Sequence, residues 1–149
     1  TLAGLRQLNR PGLLLLQDKG VARWVEAEAI DDEHLVLRAG QQRWRQPLTG
    51  LPALWSGDYA TFWRLPPGQT RRVFIAAPQD PAGQWLDQQL QRLQANGTLH
   101  ADALDFAARV RAFQVQHGLH GDGKALPSTF LLVNRLTGVD EPRLQTAAR

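Results

Sequence analysis

The side chains best suited to chemistry lie in one short stretch, from Arg111 to Gly123. Arg111 and Gln114 are three residues apart, so on a helix they would present charged and amide donors on one side. Asp122 and Gly123 form a turn dipeptide. The Asp122 carboxylate can hold a ligand amine or bond its own turn, and the Gln114 amide can face a ligand or bridge to the loop. The predicted ligand-binding residues are Arg111, Gln114, Asp122 and Gly123.

Three histidines near this stretch, His100, His117 and His120, raise the question of a zinc site. Zinc needs three or four converging ligands at about 2.0–2.1 Å, and this spacing is not specific for such a site. His117 continues the apolar side of a helix, which favours a partly buried cap. We therefore predict no metal and no cofactor.

A helix is expected to position the candidate site. One apolar face contains Phe106, Val110, Phe113 and His117, at i, i+4, i+7 and i+11. This periodicity predicts a helix from about Asp102 to His117, with Phe113 in the core. Gly118 follows the last periodic residue, where a C-terminal cap needs a left-handed backbone.

The same stretch resembles the signature of the small three-helix peptidoglycan-binding domain. That pattern, Val-x-x-Phe-Gln-x-x-x-Gly-Leu-x-x-Asp-Gly, is matched by Val110, Phe113, Gln114, Gly118, Leu119, Asp122 and Gly123. The resemblance implies non-catalytic recognition of peptidoglycan. The family's glycine after the Asp-Gly turn is absent from residues 124–129. That departure favours the alternative, a protein–protein interaction module that has lost wall binding.

The period of the apolar residues changes along the chain from two to 3.6 near residue 80. Strands are predicted over 13–17, 21–30, 34–38, 42–46 and 59–65, and further helices over 82–95 and 127–136. A short strand is possible at 71–75, and the tail from Asp140 is expected to fray. The prediction is an α+β chain: a small antiparallel β unit (1–78) followed by a three-helix peptidoglycan-binding-like domain (79–149).

The first half carries a second resemblance, in Trp55, Gly57 and Tyr59 followed by Trp63-Arg64 and Pro66. This segment, ahead of a peptidoglycan-binding domain, is similar to the periplasmic region of the A component of the type II (general) secretion pathway. The first half also resembles part of a bacteriocin-processing cysteine peptidase, which needs a Cys nucleophile and a His base. The chain has no Cys, and its nearest His is His34. The resemblance thus implies an inactive scaffold and no enzyme.

The second resemblance also implies a cellular setting. The parent protein would be oligomeric, and attached to the inner membrane through a segment outside this chain. Its partners would be peptidoglycan, the B component of the pathway and the secretin, whose assembly across the wall it would help. With no Met, the 149 residues are expected to be a piece of something longer.

Charge and aromatic content exclude some other partners. The formal net charge is +3, too small and too scattered for a typical nucleic-acid binder, so no nucleic-acid partner is predicted. The turn carboxylates Asp18, Asp31, Asp32 and Glu33 are expected to be solvated. A cluster of aromatic residues could stack on sugar rings, but core packing is favoured. It contains Trp55, Tyr59, Phe62 and Trp63.

Overall fold

The computed structural model describes residues 1–102 and 105–146. It is α+β and divides into two units. Unit 1 contains residues 1–62 and the described residues from Asp140 onward, and unit 2 contains residues 63–139. The predicted division at residue 78 differs from this one. Residues 63–78 group with the helices because Trp63 and Phe74 pack on the helical core, and the tail groups with the sheet because Leu144 lies in its core.

The described part of unit 1 is built on a six-stranded β-sheet. The strands are β1 (Gly12–Asp18), β2 (Val21–Ile30), β3 (His34–Ala39), β4 (Gln42–Pro47), β5 (Trp55–Ala60) and β6 (Gln145–Thr146). Their order is β4-β3-β2-β1-β5 with antiparallel neighbours, and β6 pairs with β2 in parallel. The first four lie within one residue of the predicted bounds. β5 begins four residues before the predicted start, because its pairing with β1 reaches back to Trp55, and it ends at Ala60, so the predicted strand does not continue over 61–65.

Two short helices complete unit 1, α1 (Leu2–Leu8) and α2 (Leu51–Leu54). The Thr1 hydroxyl caps α1 by accepting from the Gly4 amide at 3.1 Å, and Asn9 ends it in the left-handed region at φ +50°. α1 was not predicted from the sequence. Both helices contribute to the core of the sheet, which contains Leu5, Leu14, Leu16, Val25, Ala27, Leu35, Leu37, Leu48, Leu51, Trp55 and Leu144.

The described part of the tail is ordered against the sheet, so the prediction that it frays was wrong. The Leu144 amide donates to the Asn9 carbonyl at 3.2 Å, and β6 pairs with Ala29 and Ile30. The pairing of β1 with β2 stops at Ala27, so β6 occupies the side of β2 that β1 leaves. Burial of Leu144 and the pairing of β6 with this part of β2 stabilise the tail.

Unit 2 contains three helices in its described part, α3 (Pro81–Ala95), α4 (Phe106–Gln116) and α5 (Pro127–Leu136). The bounds of α5 agree with the prediction. α4 begins after the expected Asp102, since Asp105 caps it by accepting from the Ala108 amide at 2.9 Å. The expected helix also included residues 103 and 104, which lie outside the described residues. The core contains Ala76, Ala82, Leu86, Leu90, Leu93, Leu99, Val110, Phe113, Ala125, Phe130, Leu132 and Val133.

The segment before α3 is held to the helices by aromatic contacts. Phe74 lies between the rings of Trp63 and Phe130, with centroid distances of 6.3 and 5.2 Å. The strand predicted at 71–75 does not form, and only Ala76 makes a bridge, to Ala125. Within the described ranges, we find no helix with the length and apolarity required to cross a bilayer.

Candidate functional site

Gln114 is the residue around which the candidate site is built. It lies on α4 and is only 2% exposed. Its side-chain nitrogen donates to the Lys124 carbonyl at 2.9 Å and to the Thr129 hydroxyl at 3.2 Å. Its side-chain oxygen accepts from the Gly123 amide at 2.9 Å. Of the two roles left open by the sequence, the structure shows the bridge to the loop, so Gln114 acts here as a positioning residue.

Asp122 sits in the loop that Gln114 holds. One carboxylate oxygen accepts from the Lys124 amide at 2.9 Å and is 3.4 Å from the Gln114 side-chain nitrogen. These contacts, the Lys124 amide first, hold the pKa of Asp122 below its usual value. The carboxylate is therefore anionic at neutral pH. It both stabilises its own turn and places a negative charge at the loop surface.

The loop lies directly on α4 because it has no side chains at two points. A Cβ at Gly123 would be 2.9 Å from the Ala107 carbonyl oxygen, and its φ of +74° already favours glycine. A Cβ at Gly121 would be 2.6 Å from a methyl group of Val115. The backbone of the loop is thus pressed against the outward side of the helix.

Arg111 is on that same side, one turn from Ala107 and one turn from Val115. It is exposed, and makes no hydrogen bond or ion pair with the described residues. A Cβ at Gly121 would be 3.7 Å from the Cγ of Arg111, so the guanidinium stem borders the loop. A free guanidinium can bind a carboxylate through two parallel hydrogen bonds.

Val115, which was not predicted from the sequence, is 66% exposed on this face. The sequence feature that could have identified it is an apolar residue on α4 outside the stripe that contains Val110 and Phe113. Arg111, Val115 and Asp122 thus combine a cation, an apolar contact and an anion beside a closely packed loop. This shallow surface suits a ligand with carboxylates, amines or amides on a short apolar frame.

The histidines have separate environments. His117 caps the C-terminus of α4, and its ring centroid lies 4.5 Å from that of Phe113. Burial lowers the pKa of His117. His100 and His120 are exposed. Over residues 1–102 and 105–146, no group of three acidic, histidine or cysteine side chains is placed to hold a metal.

In the β2–β3 turn, the Asp31 carboxylate has partners, unlike the solvated group that was expected, whereas Asp32 and Glu33 are exposed. Asp31 accepts from the backbone amides of Glu33 and His34 at 2.8 and 2.6 Å, and from the Arg45 guanidinium at 2.7 Å. The Glu33 and His34 amides lower the pKa of Asp31 most. The His34 ring nitrogen is 3.7 Å from an Asp31 oxygen. Asp31 is committed to shaping the turn.

The aromatic cluster of the first half is largely structural. Trp55 is buried and donates to the Asp58 carbonyl at 2.7 Å, and the Tyr59 hydroxyl donates to the Arg10 carbonyl at 2.5 Å. Trp63 packs against the core of unit 2. Phe62 differs, because it is 87% exposed.

Comparison with known proteins relates the chain to one secretion system. No family model matches it. It is 28% identical over 148 residues to general secretion pathway protein A of Aeromonas hydrophila, a match that covers 97% of this chain and 27% of that protein. The chain therefore spans about a quarter of the length of this relative. The similarity supports a type II secretion A-like region.

A solved structure is also similar in sequence. It is a periplasmic domain of the EpsAB fusion protein of the Vibrio vulnificus type II secretion system. The alignment covers 98% of this chain and 75% of that chain, with 26% identity and a TM-score of 0.44.

Proposed function

We propose that this chain is a non-catalytic periplasmic region of a type II secretion accessory protein, and that unit 2 binds peptidoglycan. The observation that carries the proposal is the arrangement on α4. The buried Gln114 amide holds the loop against the helix, and Arg111 beside it is exposed without a partner among the described residues. Peptidoglycan stem peptides are rich in carboxylates and amides, which Arg111 and Asp122 would contact.

The proposed ligand-binding residues are Arg111, Asp122 and the backbone at Gly123, with Gln114 positioning the loop from below. A shallow surface of this kind gives modest affinity for each site. On a polymer with repeated stems, several copies of an oligomeric parent would bind together and raise the effective affinity.

In this proposal the parent is attached to the inner membrane through a segment outside this chain. Binding to the wall would hold it where the secretin has to be assembled, with the B component and the secretin as protein partners. Unit 1 would serve as a scaffold for those contacts and would not cut a substrate. The absence of Cys from the sequence and the use of Asp31 in a turn support this role.

Co-sedimentation of the chain with isolated wall sacculi, at about 50, 150 and 500 mM salt, tests wall binding. Arg111→Ala is the informative variant, because Arg111 is exposed and its loss should not affect folding. We expect several-fold weaker binding, with the difference decreasing as salt rises. Gln114 is excluded from this variant, since it is buried and its loss would disturb the loop itself.

Arg92→Ala is the matched control, because Arg92 is another exposed arginine on a neighbouring helix. If both variants lose binding equally, general charge attraction explains the result and the α4 face is not the site. If the unaltered chain does not sediment with sacculi, the alternative is favoured, a protein–protein interaction module. The departure from the family pattern after Gly123 is the feature that supports this alternative.

A further inference from the structure

Residues 70–75 form an open stretch of backbone at the surface of unit 2. Within the described part of the chain, no backbone group of these six residues makes a hydrogen bond. Pairing starts only at Ala76, which donates to the Ala125 carbonyl at 3.0 Å. The sequence Val73-Phe74-Ile75 nevertheless has strong β-propensity. The segment therefore has the composition of a strand but no partner strand.

The side chains alternate between outward and inward from Val73 to Ala76, whereas Arg71 and Arg72 are both exposed and the backbone bends at Arg72 and Val73. Phe74 is anchored between Trp63 and Phe130. Val73 and Ile75 face outward, with 84% and 60% of their surfaces exposed. Because Phe74 fixes the segment, its free amides and carbonyls are available at the surface. Unpaired backbone groups beside exposed apolar side chains can accept an added strand from a partner.

The charge of the segment indicates what kind of strand would fit. Arg71 and Arg72 are exposed and make no ion pair with the described residues. No acidic residue occurs between 69 and 79. The Asp80 side chain, the next carboxylate along the chain, accepts from the Ala77 amide at 3.0 Å. The positive charge at this edge is thus not offset locally.

We propose that residues 71–75 bind an acidic, extended segment of a protein partner as an added β-strand. Backbone hydrogen bonds would supply affinity, and apolar side chains of the partner would pack on Val73 and Ile75. Carboxylates of the partner would pair with Arg71 and Arg72. A second copy of this chain suits the edge less well, because it would bring four arginines together.

The proposal can be tested on the full chain with a defined probe, the capped peptide Glu-Val-Asp-Val-Glu-Val. Hydrogen exchange of backbone amides, followed by NMR, is the measurement. We expect saturable protection at residues 72–75, weaker at high salt, and none with a peptide in which lysine replaces the acidic residues. The double substitution Arg71→Glu with Arg72→Glu should weaken binding at least tenfold.

A matched control reverses the same number of charges elsewhere, with Lys19→Glu and Arg92→Glu. It should bind the peptide as the unaltered chain does. Val73→Pro, which removes one exposed amide and leaves Phe74 in place, should also lose the protection. Circular dichroism and the melting temperature show whether each variant is folded.

Any of four results would overturn the proposal. The first is no protection at 72–75 with millimolar peptide, and the second is an equal loss in the charge-reversal variant and its control. The third is concentration-dependent protection without peptide, which would assign the edge to a second copy. Protection by sacculi in place of the peptide would assign it to the wall and reject a protein partner. The Arg111→Ala chain should bind the peptide normally, so failure of this proposal and failure of wall binding are distinguishable.

Discussion

The side-chain oxygen of Gln114 lies 2.9 Å from the amide nitrogen of Gly123, and this hydrogen bond joins α4 to the loop that carries Asp122. The same side chain donates to the carbonyl of Lys124, the next residue along. One buried amide thus satisfies both a donor and an acceptor of a loop without regular structure. The shape of the candidate surface is therefore coupled to the stability of the helical unit.

Gln114→Ala should destabilise the chain by about 1–3 kcal/mol, because it leaves the Gly123 amide and the Lys124 carbonyl without their partner. Urea unfolding followed by circular dichroism at 222 nm measures the change. Gln88→Ala is the control, since Gln88 is exposed on α3 and should change stability by less than about 0.5 kcal/mol. Equal effects of the two substitutions would contradict the role assigned to Gln114.

Gly123→Ala should destabilise the chain more than Gly97→Ala does. Both glycines have nearly the same positive φ, +74° and +77°, so both substitutions carry a left-handed penalty of about 1–2 kcal/mol. Only at Gly123 would the new Cβ meet backbone, 2.9 Å from the Ala107 carbonyl oxygen; Gly97 has open space. Each substitution lowers the free energy of unfolding, and the difference between the two losses measures how closely the loop packs on α4. Indistinguishable values would mean that the loop can move away from the helix.

Glu141→Gln should destabilise unit 1 by about 3–5 kcal/mol, the typical cost of removing one partner of a buried ion pair. Glu141 pairs with Arg10, which is only 1% exposed. Glu33→Gln, at an exposed carboxylate, is the control. Urea unfolding followed by the fluorescence of Trp55, with the other tryptophans replaced by Phe, reports on unit 1. A change within about 0.5 kcal/mol would contradict a stabilising role for the pair of Arg10 and Glu141.

Stability of unit 2 should fall as the pH is lowered below about 6.5, the usual pKa of His in an unfolded chain. Burial lowers the pKa of His117 in the folded chain, so in this range the unfolded state binds a proton that the folded state does not. The decrease should continue until the pH reaches the folded pKa. Urea titrations between pH 7.5 and 5.5 should show a smaller slope for His117→Gln. His100→Gln, at an exposed position, should keep the slope of the parent.

The candidate site shows the limit of reasoning from sequence. Spacing placed Arg111 and Gln114 on one flank of a helix, and that flank does border the loop. The spacing did not distinguish an exposed arginine from a glutamine that is 2% exposed. That difference arises because the backbone of residues 122–124 closes over Gln114, and the path of this loop depends on two glycines that pack on α4.

Elements with a regular apolar period were determined by the sequence alone. The alternation of Val21–Ile30 predicted β2, and the periodic apolar residues after Pro127 predicted α5, because periodicity encodes which side of an element is buried. Tertiary structure alone decided where the segments before α3 and after α5 belong. Phe74 packs against Phe130, and Leu144 packs in the core of the sheet. Contacts between residues so far apart depend on surfaces that exist only after folding, so no local pattern records them.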